Sequence, residues 1–528
     1  MRKLYAGGRS NVLAQNGIAS TSQPLSTLEA VSILKMGGNA VDAAIAASAV
    51  LAVVEPGSTG IGGDCFAIVS MHNKDPIAIN GSGIAPKKMN LEFLKKNNIN
   101  KIELTSPHSV TIPGSVHAWY SMHQKFGKLD FEQLFITAEN YARNGFPLHE
   151  VEARTWKQNE IKLNQYQNTK KIFLPNGRPP KFSEIFKNIP LANSLKKIGK
   201  LGAKAFYEGE ISKDIINTLR VLGGFHDEED FANQKTIFSD TINSNYNNYK
   251  LHQCPLNGPG ITVLIMMKLL EKFNFESMDA TSYNRYHIQA EITKICFELK
   301  ETQFGDPKFK KIDFDDFFSD SFTNKLFKKI KINNVYNSKK AYVTSHPETI
   351  YLTVVDKDLN TVSFINSICH AFGSSITSKN SGVLLQNRGV NFRLEENHPN
   401  VIDGNKRPLH TIIPGILTNN KNKPILSFGV MGGQYQPIGQ AHLLQNIFDF
   451  NMSIQEAIDL PRAFALNGKL RLEKSISLQT SDKLKKIGYN VEYEQDSIGG
   501  GQAIYIDRKK GLLIAGSDSR KDGSAIGY

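Results

Sequence analysis

Thr349-Ile-Tyr-Leu-Thr-Val-Val-Asp356, followed across Lys357-Asp-Leu359 by Asn360-Thr-Val-Ser-Phe-Ile-Asn-Ser367, is the stretch on which the fold turns. Both runs alternate in hydrophobicity and are rich in β-branched and aromatic residues. The short loop between them carries Asp and Asn, so the pair reads as a β-hairpin. The pattern also sets the register. Leu352 opposite Phe364 and Val354 opposite Val362 keep one face apolar, whereas a slip of one residue destroys both pairs. In that register Thr349 stands opposite Ser367, which places a hydroxyl beside the first residue of the strand.

Upstream of the hairpin, residues 308–347 are polar and rich in Lys and Asn, end in Thr344-Ser-His-Pro-Glu348, and read as an exposed, mobile connection. From Leu129 to Asp306 the pattern is mainly helical, with one helix near Ser282 to Phe304 stopped by Gly305-Asp306-Pro307. Farther back, Asn39 caps an Ala-rich run, Ala40 to Val54, that is apolar nearly all round and so belongs at the centre of the fold. The loop Gly57-Ser-Thr-Gly-Ile-Gly-Gly-Asp64 then leads into the strand-like Cys65-Phe-Ala-Ile-Val-Ser70. A phosphate cradle runs from strand to helix and ends in Gly-Lys-Ser/Thr; this loop does neither, and close backbone packing explains its glycines better.

Downstream, Ile425-Leu-Ser-Phe-Gly-Val-Met431 reads as a strand, and Gly432-Gly433 separates it from a helix over about Pro437 to Asp449. Such a turn offers backbone N–H groups to an anion, either a bound carboxylate or the oxyanion of acyl transfer, although many turns of this kind carry glycines for geometry alone.

Composition narrows the function classes. At 528 residues, 40% hydrophobic and 21% charged, the chain has the make-up of a folded protein with a sizeable core, either several domains or one large α/β unit of two interleaved segments. The formal charge of +13 raises a nucleic-acid partner, but the basic residues are scattered. Short groups such as Lys308-Phe309-Lys310-Lys311 and Lys328-Lys329-Ile330-Lys331 read as solvated faces. Cys65, Cys254, Cys296 and Cys369 lie far apart without metal-ligand spacing, so no metal, cofactor or disulfide framework is indicated, and reduced thiols in a cytoplasm fit. The N-terminus has basic residues but no apolar segment after them, and the longest apolar run is too short to span a bilayer. A cytoplasmic protein with no nucleic-acid or membrane partner is expected.

Gly37-Gly-Asn-Ala-Val-Asp-Ala-Ala44, Gly60-Ile-Gly-Gly-Asp64, Ile112-Pro-Gly-Ser115, Thr349 through Asp356, Lys406-Arg-Pro-Leu409, Gly516-Ser-Asp-Ser-Arg520 and Gly527-Tyr528 together resemble motifs of the gamma-glutamyltransferase family, in family order and over essentially the whole chain. The resemblance implies an α/β protein built as a four-layer αββα sandwich of the N-terminal-nucleophile hydrolase type. It implies a precursor that cuts itself between Glu348 and Thr349. Residues 1–348 would then form a large, mainly helical segment holding part of the sandwich, and 349–528 a small segment carrying the nucleophile, the two staying together as one interleaved heterodimer. The freed α-amine of Thr349 would serve as the base for its own hydroxyl, which is a poor nucleophile otherwise. By the same resemblance Ser367 orients Thr349 or its amine, and Gly432 and Gly433 form the oxyanion hole.

The substrate-reading positions depart from the family pattern. Ser82 stands where the family carries an Arg for the glutamyl α-carboxylate, Asn391 where it carries an acid for the α-ammonium, and His410-Thr411 where it carries paired serines. Losing an Arg and a carboxylate removes both charge-assisted contacts to a zwitterionic head. In exchange the chain carries Arg388, a partner for a carboxylate, and His410, a donor and proton carrier; a structural Arg on a loop and a hydrogen-bonded core His are the plain alternatives. The Gln386-Asn-Arg-Gly389 and Arg407-Pro-Leu-His-Thr-Ile-Ile-Pro414 stretches resemble a branch that includes oxamate amidohydrolase and cephalosporin-type acylases. Three functions are therefore expected to compete: an amidohydrolase for a small, oxamate-like amide, a true gamma-glutamyltransferase or glutathione hydrolase, and a processed but inactive anion-binding protein.

Overall fold

A computed structural model of the 528-residue chain describes residues 8–309, 311–312, 314–337 and 349–528. Strands Ile350–Val355 and Thr361–Ser367 pair antiparallel, with Leu352 on Phe364 and Val354 on Val362. Asp356 closes the loop between them, its carboxylate accepting the N–H groups of Asp358 and Asn360 and the side-chain amide of Asn360. Both faces of the hairpin are buried, not one. Leu352, Val354, Val362 and Phe364 face a helical layer, while Tyr351 and Ile365 face a second sheet. A one-residue slip would move those large apolar side chains, each contributing roughly 1.5–3 kcal/mol when buried, into a gap where Thr353 and Ser363 hydroxyls sit instead.

The hairpin lies inside a seven-stranded sheet ordered Ser524–Gly527, Ile18–Thr21, Ile350–Val355, Thr361–Ser367, Asp64–Ser70, Ile77–Gly81, Ile237–Asp240. A second seven-stranded sheet runs Val12–Ala14, Leu512–Ser517, Gly500–Asp507, Pro424–Met431, Gly415–Thr418, Tyr249–Gln253, Ile242–Tyr246. Neighbouring strands within each sheet are antiparallel. Each sheet draws strands from both sides of residue 349, so the two segments interleave.

Four layers follow from where the apolar side chains go. Phe66, Ile68, Tyr351, Ile365, Ile416 and Met431 pack between the sheets. On the outer side of the first sheet lie helices Pro24–Lys35, Ala40–Val54 and Ile189–Leu201, sharing one core with Leu352 and Phe364. Outside the second sheet lie Gly260–Leu270, Tyr283–Gln303 and Gln436–Phe448, sharing a core with Leu417, Leu426 and Phe428. The architecture is an αββα sandwich.

Helix Ala40–Val54 is buried along its whole length and capped by a reciprocal pair, the Asn39 side chain accepting from the Val41 and Asp42 amides and the Asp42 side chain from the Asn39 amide. Its Ala40 N–H also donates to Asp356, 2.9 Å away, which ties the central helix to the loop end of the hairpin. Among the described residues, no helix is long and apolar enough to cross a membrane. All four cysteines are buried and free.

Two expectations need correction. The mainly helical stretch from Leu129 to Asp306 also holds strands Ile237–Asp240, Ile242–Tyr246 and Tyr249–Gln253. The first two form sheet edges, and their polar, half-exposed residues carry little alternation. The connection 308–347 is in part structured: Asp320–Phe327 is a helix capped by Ser319, and Phe317, Phe318, Phe322 and Phe327 pack onto the second core. An apolar stripe at helical spacing was present under the lysines. Residues 338–348 of that connection, with Glu348 and the expected cut, lie outside the described residues.

Candidate active site

Thr349 is 1% exposed at the head of its strand, and its Oγ1 lies 3.2 Å from Ser367 Oγ. Ser367 Oγ also accepts the N–H of Cys369, 2.9 Å away. That bond leaves one lone pair and one proton on the serine hydroxyl, enough to hold the threonine hydroxyl in place from either direction. Cys369 takes a left-handed φ of 81°, bending the chain sharply after Ser367, and His370 N–H then donates to Asn387. The side chains of Thr349 and Ser367 lie on the alternation that points between the sheets, the face of Tyr351 and Ile365.

The strand Pro424–Met431 crosses this face in a fixed step. Thr353 Oγ1 meets Ser427 Oγ at 2.6 Å, and a Cβ on Gly429 would stand 2.3 Å from the Tyr351 ring. Met431, one two-residue step farther on, packs in the same inter-sheet core as Tyr351, and the chain turns next at Gly432-Gly433. Gly432 has φ 125° and Gly433 φ 56°, and a Cβ on Gly432 would meet Gly499 Cα at 2.8 Å. Only glycine fits that turn. Helix Gln436–Phe448 starts directly after it, so the positive end of the helix dipole lies at the same place.

A pocket of about 100 Å³ adjoins this turn through Gln434 and is lined also by Asn391, His410 and Thr411 with Lys300 and Arg393, while Thr349, Ser367, Arg388, Gly432 and Gly433 are not in its lining. Lys300 reaches in from helix Tyr283–Gln303 and donates to Gln434 Oε1 at 2.6 Å, tying that helix to the residue after the glycine pair. Asn391 is held by its side-chain amide on the Leu409 carbonyl, 3.1 Å away. Arg388 is completely buried: its Nη1 donates to Thr411 Oγ1 at 3.0 Å, while Nε and Nη2 meet no protein acceptor. Two open N–H groups on a buried guanidinium are costly unless a ligand takes them.

His410 is equally buried. Its Nε2 lies 3.3 Å from Asp64 Oδ2, close enough for an ion pair yet misaligned as a hydrogen bond. Burial and the nearby Arg388 charge push its pKa down to about 4, against the smaller opposing pull of Asp64. The imidazole is therefore neutral near pH 7. Ser82 sits one network farther back, its hydroxyl donating to Asn80 at 2.6 Å and accepting from Asn257 and Arg407, both at 3.2 Å. Of the residues expected from the sequence, Thr349 pairs with Ser367, Arg388 with Thr411, and Asn391, His410 and Thr411 share one pocket; Ser82 does not line it.

Sequence reasoning missed Asp64, Lys300 and Gln434. Asp64 left a signal, a lone carboxylate opening an otherwise apolar strand. Lys300 left none, since one Lys near the end of a long helix ordinarily serves the helix terminus.

Comparison with known proteins agrees with this geometry. The family model described as Gamma-glutamyltranspeptidase matches residues 26–528. The glutathione hydrolase-like YwrD proenzyme of Bacillus subtilis is 33% identical over 507 residues, covering 94% of this chain and 95% of the relative. The oxamate amidohydrolase proenzyme of Klebsiella pneumoniae is 27% identical, covering 98% of this chain and 100% of that one. The crystal structure of cephalosporin acylase from Bacillus halodurans superposes with a TM-score of 0.94 at 32% identity, covering 100% of this chain and 98% of that one. With a whole-length family match, a shared αββα sandwich and a hydroxyl pair at the head of the matching strand, this chain belongs to the gamma-glutamyltranspeptidase family of N-terminal-nucleophile enzymes.

Proposed function

We propose that this autoprocessing amide hydrolase or acyltransferase acts on a small amide that carries a carboxylate and no α-ammonium group, an oxamate-like substrate. Thr349, freed by cleavage after Glu348, is the nucleophile, with its α-amine as base. Its hydroxyl attacks the amide carbonyl, the amine leaves, and water or another amine takes the acyl group from the threonine. Ser367 orients the hydroxyl, and the amides of Gly432 and Gly433 hold the oxyanion. Fragments 1–348 and 349–528 act as a heterodimer in the cytoplasm.

The observation that carries the substrate reading is Arg388, buried with Nε and Nη2 unengaged beside Thr411. A carboxylate takes two such donors in one plane. Thr411, which accepts from Arg388, lines one pocket with Asn391 and His410, and the three offer neutral groups to the rest of a small acyl part. Ser82, held by Asn80, Asn257 and Arg407, supports the pocket from behind.

A second reading, a glutathione hydrolase or gamma-glutamyltransferase, gains from one atom. Asp64 Oδ2 is a buried carboxylate oxygen without a hydrogen bond and could receive an α-ammonium. The two readings separate on the ratio of kcat/KM for oxamate-like amides to that for glutathione. The ratio should favour the small amide. Arg388→Ala should lower kcat/KM for the small amide by about 10- to 1000-fold, since each charge-assisted bond contributes about 1.5–3 kcal/mol. A preference for glutathione that survives Arg388→Ala establishes the second reading instead.

A further inference from the structure

Asp64 has one oxygen fully engaged and one left over. Its Oδ1 accepts from the Gly83 amide at 2.8 Å, the Gly114 amide at 3.3 Å and Gln386 Nε2 at 3.0 Å. Three donors on one oxygen prevent the carboxylate from turning, so Oδ2 has a set direction, and 3.3 Å along it stands His410 Nε2. The ring is confined as well. Phe66, on the same face of strand Asp64–Ser70, packs 5.0 Å from it at 58°, and the His410 main-chain N–H is anchored on the Asn257 carbonyl at 3.0 Å.

The charged groups around His410 are Arg388, Arg407 and Asp64, with Lys300, Glu301 and Arg393 in the pocket wall. Burial and the two arginines keep the ring neutral, so it carries one N–H and one bare nitrogen. A carboxylate oxygen can only accept. Nε2 is the nitrogen that faces an acceptor, 3.3 Å away, which favours the proton there and leaves Nδ1, without a hydrogen-bond partner among the described residues, as a bare acceptor.

We propose that Asp64 is a positioning residue for the amide-cleaving site: it fixes His410 in the Nε2–H tautomer, so that Nδ1 accepts an N–H or O–H of the substrate while Arg388 Nε and Nη2 hold its carboxylate. This rests on the small-carboxylate reading and sharpens it. The ligand is an anion with a hydrogen-bond donor near its carboxylate, and Asp64 is taken by His410 and unavailable to an α-ammonium.

Asp64→Asn gives an opposite and specific outcome. The three donors at Oδ1 force the amide oxygen into that position, which turns the –NH2 toward His410. It then donates to Nε2 and inverts the tautomer. The processed enzyme, labelled with ¹⁵N-histidine, should show by two-bond ¹H–¹⁵N correlation a neutral His410 protonated on Nε2 at pH 7, its resonance identified by loss in His410→Gln. In Asp64→Asn the proton should move to Nδ1. On oxamate, counted per processed site, Asp64→Asn and His410→Gln should each lose about 10- to 100-fold in kcat/KM, and the double variant should lose no more than His410→Gln alone.

An Nδ1–H tautomer in the wild type overturns the proposal, and needs no variant to fold. So does an unchanged tautomer in Asp64→Asn, or losses that multiply in the double variant. If oxamate is not turned over while the tautomer inverts as stated, the small-carboxylate reading fails and the positioning role of Asp64 stands.

Discussion

The hairpin that follows Thr349 and the surroundings of the His410 pocket are both buried, yet they differ in how their polar groups are satisfied. On the inward face of the hairpin every hydroxyl has a partner: Thr349 with Ser367, Tyr351 with Ser363 at 2.8 Å, Thr353 with Ser427. Around the pocket, Arg388 Nε and Nη2 and His410 Nδ1 have no hydrogen-bond partner among the described residues. Buried polar groups left open cost about 1–3 kcal/mol each, so they persist where a ligand completes them. The hairpin is thus preorganised by the fold itself, whereas Arg388 and His410 keep polar atoms open.

The largest effect should come from the centre of the preorganised region. Thr349→Ala removes the hydroxyl, so denaturing electrophoresis should show one uncut chain and no amide turnover. The wild type should give two fragments, the smaller beginning Thr-Ile-Tyr-Leu. A single full-length band with full activity would show that the satisfied hydroxyl pair is only structural.

Ser367→Ala tests the pair from its other side. Removing one positioning bond should slow processing and turnover by about 10- to 1000-fold without unfolding the protein. Ser367→Thr keeps the hydroxyl and should recover most of the loss. Rates equal to wild type in the alanine variant would mean that Ser367 does not hold Thr349.

The smallest expected effect is on stability, and it sharpens the pocket side of the comparison. His410 has an ordinary pKa of 6.5 and a folded one near 4 because burial disfavours its charge. Below pH 6.5 the unfolded chain gains a proton that the folded chain refuses, so stability is complete above 6.5 and falls as pH drops toward 4. At pH 4 the loss from this one residue reaches about 3 kcal/mol. His226, His252 and His370, also pushed down to about 4 by burial, add to the same slope. Urea titrations between pH 7 and about 4 should show His410→Gln with a shallower fall than wild type; an identical slope would place a charged His410 in the folded protein.

How much was legible in advance differs along the chain for physical reasons. Where side chains repeat with the period of their own element, the neighbours are local and the reading is complete. The hairpin register needed only Leu352, Val354, Val362 and Phe364, and the pairing of Thr349 with Ser367 followed from it. The Ala-rich, nearly all-apolar run Ala40–Val54 likewise announced a central helix with Asn39 as its cap. Strand Pro424–Met431 and helix Gln436–Phe448 came out within a residue of their expected bounds, with the glycine turn between them.

The sequence by itself therefore determined the hairpin, its register and the hydroxyl beside Thr349, because alternation and β-propensity act between residues close in the chain. Only the tertiary structure decided the rest. The strand Ile237–Asp240, partly exposed along its whole length, is held as a sheet edge by the distant Ile77–Gly81. Lys300 becomes a pocket residue because its helix packs where Gln434 waits, and Asp64 meets His410 because the segment ahead of strand Gly415–Thr418 passes the head of strand Asp64–Ser70. Contacts between segments hundreds of residues apart leave no period in either segment, so no reading along one chain reveals them.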